Sequence, residues 1–259
     1  MSFFKRIGAS LGLGAATVET VLNQNEYAPG DTVKGVVTVK GGTVDQQIED
    51  IDLHLFTQYQ VEKDDKRYYQ TVKLGSTRIT EGFQIAAKEE RRFPFSFVLP
   101  LDTPITFGKT KVWINTDVDI ESGVDTQDND AIRVVAHPYT AAVIEAVQDI
   151  GFRLYQADCE YAPRFHRRLP FVQEFEFVPT NSRFRGRLDE VEVICHPESD
   201  GIEVFIEIDR RARGLFGFLE EAAGMDESLV RVRFSKADLQ AGRGHLSQQL
   251  EQIIRRFCR

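Results

Sequence analysis

From Val33 the chain alternates. Val33, Gly35, Val37 and Val39 fall on one side of an extended backbone, and Thr32, Lys34, Val36 and Thr38 on the other. Side chains along a strand point to opposite faces in turn, so this period of two marks a half-buried strand. Pro29, Gly30 and Asp31 just ahead supply a turn. The same period recurs where Ile51, Leu53, Leu55, Tyr59 and Val61 oppose Asp52, His54, Phe56, Gln58 and Gln60. Phe93, Phe95, Phe97 and Leu99 oppose Arg92, Pro94, Ser96 and Val98, with Pro94 predicting an edge or end position. Val112, Ile114, Thr116, Val118 and Ile120 oppose Lys111, Trp113, Asn115, Asp117 and Asp119, and Ile132 to Val135 predict a short strand. Turn-rich stretches fall at Gly41–Gly42, Glu62–Lys66, Pro100–Pro104 and Glu121–Asp130. Alternating strands joined by loops, with no helix between them, predict an antiparallel β-sandwich.

The period changes near residue 137. Val143, Ile144, Val147 and Ile150 have helical spacing, with Pro138 at the start and Gly151 at the end. This predicts a short helix at the junction of two domains. Strands return over Phe171–Val178 and Glu190–Cys195. Two more follow, where Ile202, Val204, Ile206 and Ile208 and then Val230, Val232 and Phe234 alternate with polar residues. Leu246, Leu250, Ile253, Ile254 and Phe257 predict an amphipathic C-terminal helix. It either docks on its own domain or serves a partner. At the N-terminus, Phe3, Phe4, Ile7, Leu11 and Leu13 around Lys5 and Arg6 have the spacing of a short amphipathic helix. That helix either packs on its own domain or anchors weakly to a membrane or partner.

Bulk properties narrow the function classes. The 259 residues suit two small domains or one large one. A net charge of −8 argues against general affinity for nucleic acid or anionic membranes. Cys159, Cys195 and Cys258 are an odd, sparse set without the paired spacing of a zinc site or a disulfide framework. They fit reduced thiols in a cytoplasm. No apolar run reaches the roughly 18 residues that an integral membrane segment needs.

Candidate chemistry is sparse. Gly12-Leu13-Gly14 lacks the third glycine of a dinucleotide loop, since Thr17 stands there, and no strand precedes it. His54, His137, His166, His196 and His245 have no ligand or catalytic partner at a convincing spacing. The acidic run Asp117, Asp119, Glu121, Asp125, Asp128 and Asp130 raises calcium. An EF-hand loop starting at Asp117 needs Gly at 122 and Glu at 128, where Ser122 and Asp128 stand. Trp113 and Tyr59 would make a carbohydrate platform only if exposed together. Arg164, Arg167 and Arg168, with His166, form a basic knot that either answers the acidic run or docks an acidic partner. Glu207, Asp209, Arg210, Arg211 and Arg213 read as an architectural ion network rather than a catalytic dyad.

Three segments in order carry a resemblance: YAPGDTVKGVVTV (27–39), RRFPFSFVLP (91–100) and KVWINTDVDIESGVD (111–125). They resemble the N-terminal domain of arrestin-like proteins. QEFEFVPT (173–180), LDEVEV (188–193) and FIEIDRRARGLFGFL (205–219) are similar to the bacterial sporulation-control family of the stage-zero M type. The resemblance spans nearly the whole chain. It implies an all-β fold of two tandem arrestin-like antiparallel β-sandwich domains, residues 1–136 and 137–259, with a short interdomain helix and a C-terminal helix. It also implies a cytoplasmic, non-enzymatic regulator that binds proteins, with links to sporulation control, cell division and the cytoskeleton. No catalytic, metal or cofactor residues are carried over. Phe3, Phe4, Arg164, Arg167, Arg168, Ile254 and Phe257 are the expected protein-binding residues. A homodimer is one expected arrangement, and a calcium- or carbohydrate-binding sandwich is the alternative function.

Overall fold

The computed structural model describes residues 14–64, 66–165, 167–181, 183–209 and 229–257. The chain divides into two compact units. Among the described residues, the first comprises 14–57, 71–103 and 111–134, and the second 58–70, 104–110 and those between 135 and 257. The division is therefore not one cut in the sequence, because two short segments of the first half fold with the second.

The first unit stacks two sheets. One has the order β1 (Thr17–Leu22), β3 (Thr32–Lys40), β6 (Glu90–Val98). In the other, β4 (Gln46–Lys63), β7 (Val112–Ile120), β8 (Thr126–Val134) and β2 (Glu26–Tyr27) are neighbours in that order. There β5 (Lys66–Ile85) pairs with the free side of β4. Alternation sets the inner faces. Val33, Val37 and Val39 from β3 and Ile51, Leu53, Leu55, Val112, Ile114 and Val118 from β4 and β7 are all at most 3% exposed. Each such side chain contributes about 1.5–3 kcal/mol relative to an exposed one. Buried Thr20 and Thr116 join their hydroxyls at 2.6 Å, linking one sheet to the other. The turn ahead of β3 has Gly30 at φ +93°, a conformation that favours glycine, and Asp31 N–H donates to Ala28 O at 3.0 Å.

The second unit is a five-stranded antiparallel meander in the order β13 (Leu229–Ser235), β12 (Gly201–Asp209), β11 (Glu190–Glu198), β10 (Phe171–Pro179), β9 (Phe152–Tyr161). The end of β4 joins β9 through Gln60 and Glu160. One face is apolar. Phe175, Phe177, Val191, Val193, Val204 and Ile206 pack against α1 (Pro138–Asp149) and α3 (Arg243–Arg255), through Val143, Ala146, Val147, Leu246, Leu250 and Ile254. The expected second sandwich is thus, among the described residues, a single sheet closed by two helices. The helical stripes bury the same apolar face that a second sheet would have covered. Arg243 of α3 pairs with Glu145 and Asp149 of α1, fixing the helix pair.

Most elements follow the sequence pattern, and α1 spans the segment that Pro138 and Gly151 bracket. The rest do not. The acidic stretch expected as a turn through Asp130 becomes strand from Thr126, because β8 pairs with β7 from Thr126↔Val118 to Ile132↔Val112. β1, β2, β5 and β9 have no matching sequence expectation. A five-residue helix α2 (Lys236–Gln240), also without a sequence expectation, is started by a capping box in which Ser235 and Asp238 serve each other's backbone N–H.

Candidate interaction surfaces

β6 ends one sheet of the first unit and β5 ends the other; no ladder joins the two strands, and Phe83 of β5 packs on Phe93 of β6 at 5.1 Å toward one end. Leu99 N–H donates to Asp31 O at 2.9 Å and Gly30 N–H donates to Leu99 O at 2.8 Å. Backbone groups alternate in direction along an antiparallel strand. The odd-numbered residues of β6 therefore bond to β3, and Arg92, Pro94, Ser96 and Val98 turn theirs to the open edge. Pro94, which has no N–H, stands at one of these outward positions, where its lack costs no ladder bond. Val98 is 63% exposed, a large apolar side chain at a free edge.

Beside this edge lies a cavity of about 170 Å³, floored by Leu53, Leu55 and Ile114 and rimmed by Gly75, Phe97 and Val98. Cavities of about 150 Å³ lined by aliphatic side chains accept a benzene-sized group. At the rim His54 Nδ1 and Ser76 Oγ share a hydrogen bond at 2.9 Å. Burial and the neighbouring Lys73 ammonium hold the His54 imidazole below its usual range.

The basic knot lies on the second unit. Arg167 donates to Glu198 at 2.9 Å and to Glu203 at 2.5 Å. Arg231 donates from the other side to Glu203, Nε to Oε1 at 2.6 Å. Burial pushes the Glu203 carboxyl up, but the hydrogen bonds from Arg231 and Arg167 outweigh it and leave the group below the usual carboxylate range. Phe165 meets Phe205 edge-on at 5.2 Å. Arg167 thus answers acids of its own unit, and Arg164 and Arg168 are exposed.

The other expected contact residues divide. Ile254 is fully buried in the core between α3 and the sheet, so it supports the fold and presents nothing to a partner. Phe257 packs half-buried against the same core. Phe3 and Phe4 lie outside the described residues, as do Arg210, Arg211 and Arg213. Trp113 stacks on Phe56 at 5.7 Å, and Tyr59 stacks on Phe171 at 5.3 Å with only 7% of its surface exposed. Buried Tyr59 cannot serve a carbohydrate platform. The acidic run is used by the backbone: Asp125 accepts from Ile120 N–H at 3.0 Å and Asp128 from Thr20 N–H at 2.7 Å. Among the described residues no group of three or more ligand-type side chains is placed to hold a metal ion, and no helix is long and apolar enough to cross a membrane.

The second unit also carries a feature that single-strand patterns do not announce. On the sheet face away from α1 and α3, Gln156, Glu176, Glu192 and Glu207 form one straight row across four strands. Asp158 and Glu174 stand side by side in the next row. Asp158, Glu160, Glu174, Glu192 and Glu207 are each at most 7% exposed. Burial, then neighbouring carboxylates, push Glu174 and Glu192 well above the usual range, Glu192 to about 9. Burial lifts Glu160 to about 7 against the pull of Arg67.

The family model described as SpoOM protein matches residues 4–212. The chain belongs to the Spo0M family. It is 51% identical over 258 residues to the sporulation-control protein Spo0M of Bacillus subtilis (strain 168), covering 100% of both sequences. The crystal structure of that Spo0M matches this fold with a TM-score of 0.89 and 48% identity, over 94% of this chain and 99% of the other. The β-rich architecture described above is thus the Spo0M architecture.

Proposed function

We propose that this Spo0M-family protein regulates sporulation by binding other proteins in the cytoplasm, without catalysing a reaction. The family relative carries the sporulation-control name. The first unit supplies the arrestin-like part of the reading: two stacked sheets, the Pro29–Gly30 turn and the proline-bearing β6. The second unit acts as a helix-braced platform. The observation that carries the reading is the open edge of β6 beside the 170 Å³ cavity. An extended segment added to a free edge gains main-chain hydrogen bonds, and a neighbouring pocket selects one side chain. Ser96 and Val98 offer the backbone groups, and the cavity accepts one apolar side chain.

Ser96→Pro tests this directly. The Ser96 N–H faces away from β3, so proline there leaves the internal ladder intact, as Pro94 does. In-cell cross-linking with mass spectrometry is expected to capture partner proteins on the wild type through peptides near Val98. Ser96→Pro should lose those cross-links while melting like the wild type. Equal capture by both proteins overturns the edge as the binding site, and self-contacts alone reduce the function to a homodimer.

A further inference from the structure

We infer that the carboxylate lattice of the second unit is a proton-operated catch. Protonated, it allows the polar face of β9–β12 to stay closed; ionised, it drives that face open to water. The inference goes beyond partner binding at the β6 edge and does not depend on it.

The geometry comes first. Neighbouring strands lie about 4.8 Å apart, so directly opposite side chains touch. Glu192 stands opposite Glu176 on one side and Glu207 on the other. Like charges directly opposite each other destabilise a sheet even when exposed. Here they are enclosed: Glu174 is 2% and Glu192 is 4% exposed. Glu174 Oε1 and Glu192 Oε2 are buried without a hydrogen-bond partner. An ionised carboxylate in that position is costly, and the group takes a proton instead.

Counter-charge from the described neighbours is short. The groups acting most strongly on Glu174 are Glu192, Glu160, Glu207 and Glu176. Those acting on Glu192 are Glu207, Glu190, Glu176 and Glu160. From the 58–70 segment, Arg67 acts on Glu160 and Glu176, while Glu62 adds negative charge at Glu160. From the loop after β9 comes Arg167, and from β13 comes Arg231. Both are bonded to Glu203, at the far side of Phe205 on β12. Asp158 adds a further acid, held by Gln156 Nε2 at 2.5 Å. Protons therefore do the work that arginines do for Glu203.

The direction follows from linkage. Carboxyls raised in the folded state bind more protons there than in the unfolded chain. Their stabilising share is complete below about pH 4.5 and is lost as pH rises through the folded values. With Glu160 near 7 and Glu192 near 9, the loss begins at about pH 4.5 and is complete by about 7 for Glu160 and about 9 for Glu192.

The test compares the full chain with Glu174→Gln/Glu192→Gln, which keeps shape and removes charge. For the wild type, amide exchange within 171–179 and 190–198, corrected for its intrinsic pH dependence, should speed up roughly tenfold or more between pH 6 and 9. Its thermal midpoint should fall over the same range, and the variant should show a clearly smaller change in both, the remainder coming from Glu160 and Glu176. Parallel profiles for the two proteins overturn the inference. Should the variant not fold, potentiometric titration of the wild type decides instead. The native protein should hold about one proton or more beyond the unfolded chain at pH 7, and equal proton counts overturn the inference.

Discussion

At the residue scale, two positions show how chemistry and context divide the work. Gly35 sits mid-strand, where glycine normally costs about 0.5–1 kcal/mol relative to alanine. Here the sign reverses, because an added Cβ would lie 2.5 Å from the Val21 carbonyl oxygen and 2.7 Å from the Phe95 ring. Gly35→Ala is expected to lose about 1–3 kcal/mol, read as a lower urea midpoint. Ile254 reads from sequence as one more apolar residue on an amphipathic helix, equally fit for a partner or a core. The structure buries it completely. Ile254→Ala should lose about 2–5 kcal/mol in thermal or urea unfolding, with partner capture per folded molecule unchanged.

At the element scale, legibility follows periodicity. The strands that pack on one face only, β3, β4 and β7, are visible because apolar and polar residues take turns. β5 hides because both its faces are largely exposed, so no apolar set stands out in KRYYQTVKLGSTRITEGFQI. β9 hides because Asp158 and Glu160 are as buried as Ala157 and Cys159, which removes the contrast that alternation needs. Direction along β6 adds a sharp expectation. Ser96→Pro should fold, whereas Phe97→Pro, whose N–H faces β3, should lose a ladder bond and a packed ring and fall well below it in thermal midpoint. The acidic strands carry a signal that could have been found: QADCE, QEFEF and EVEV each hold their acids on one parity. Read singly, they describe a solvated face.

At the scale of the whole molecule, stability should be bounded on both sides of a mildly acidic window. Glu203, held below the usual range by its two arginines, contributes stability above about pH 4.5 that is lost as pH falls through its folded value. The raised carboxyls of β9–β12 act in the opposite sense above about pH 4.5. Melting curves from pH 3 to 9 should show both limbs, and Glu203→Gln should flatten the acid limb while sparing the alkaline one. The sequence by itself determined which residues share a strand face, where the turns and helix ends fall, and the family, because these depend on neighbours a few positions apart. Only the tertiary structure decided which of those faces meets water. Among the described residues it set five acids of four strands under cover, closed the second sheet with helices rather than strands, and left β6 with β3 as its sole strand neighbour. Those outcomes depend on which distant segments pair, and burial, unlike periodicity, is a property of the partner as much as of the residue.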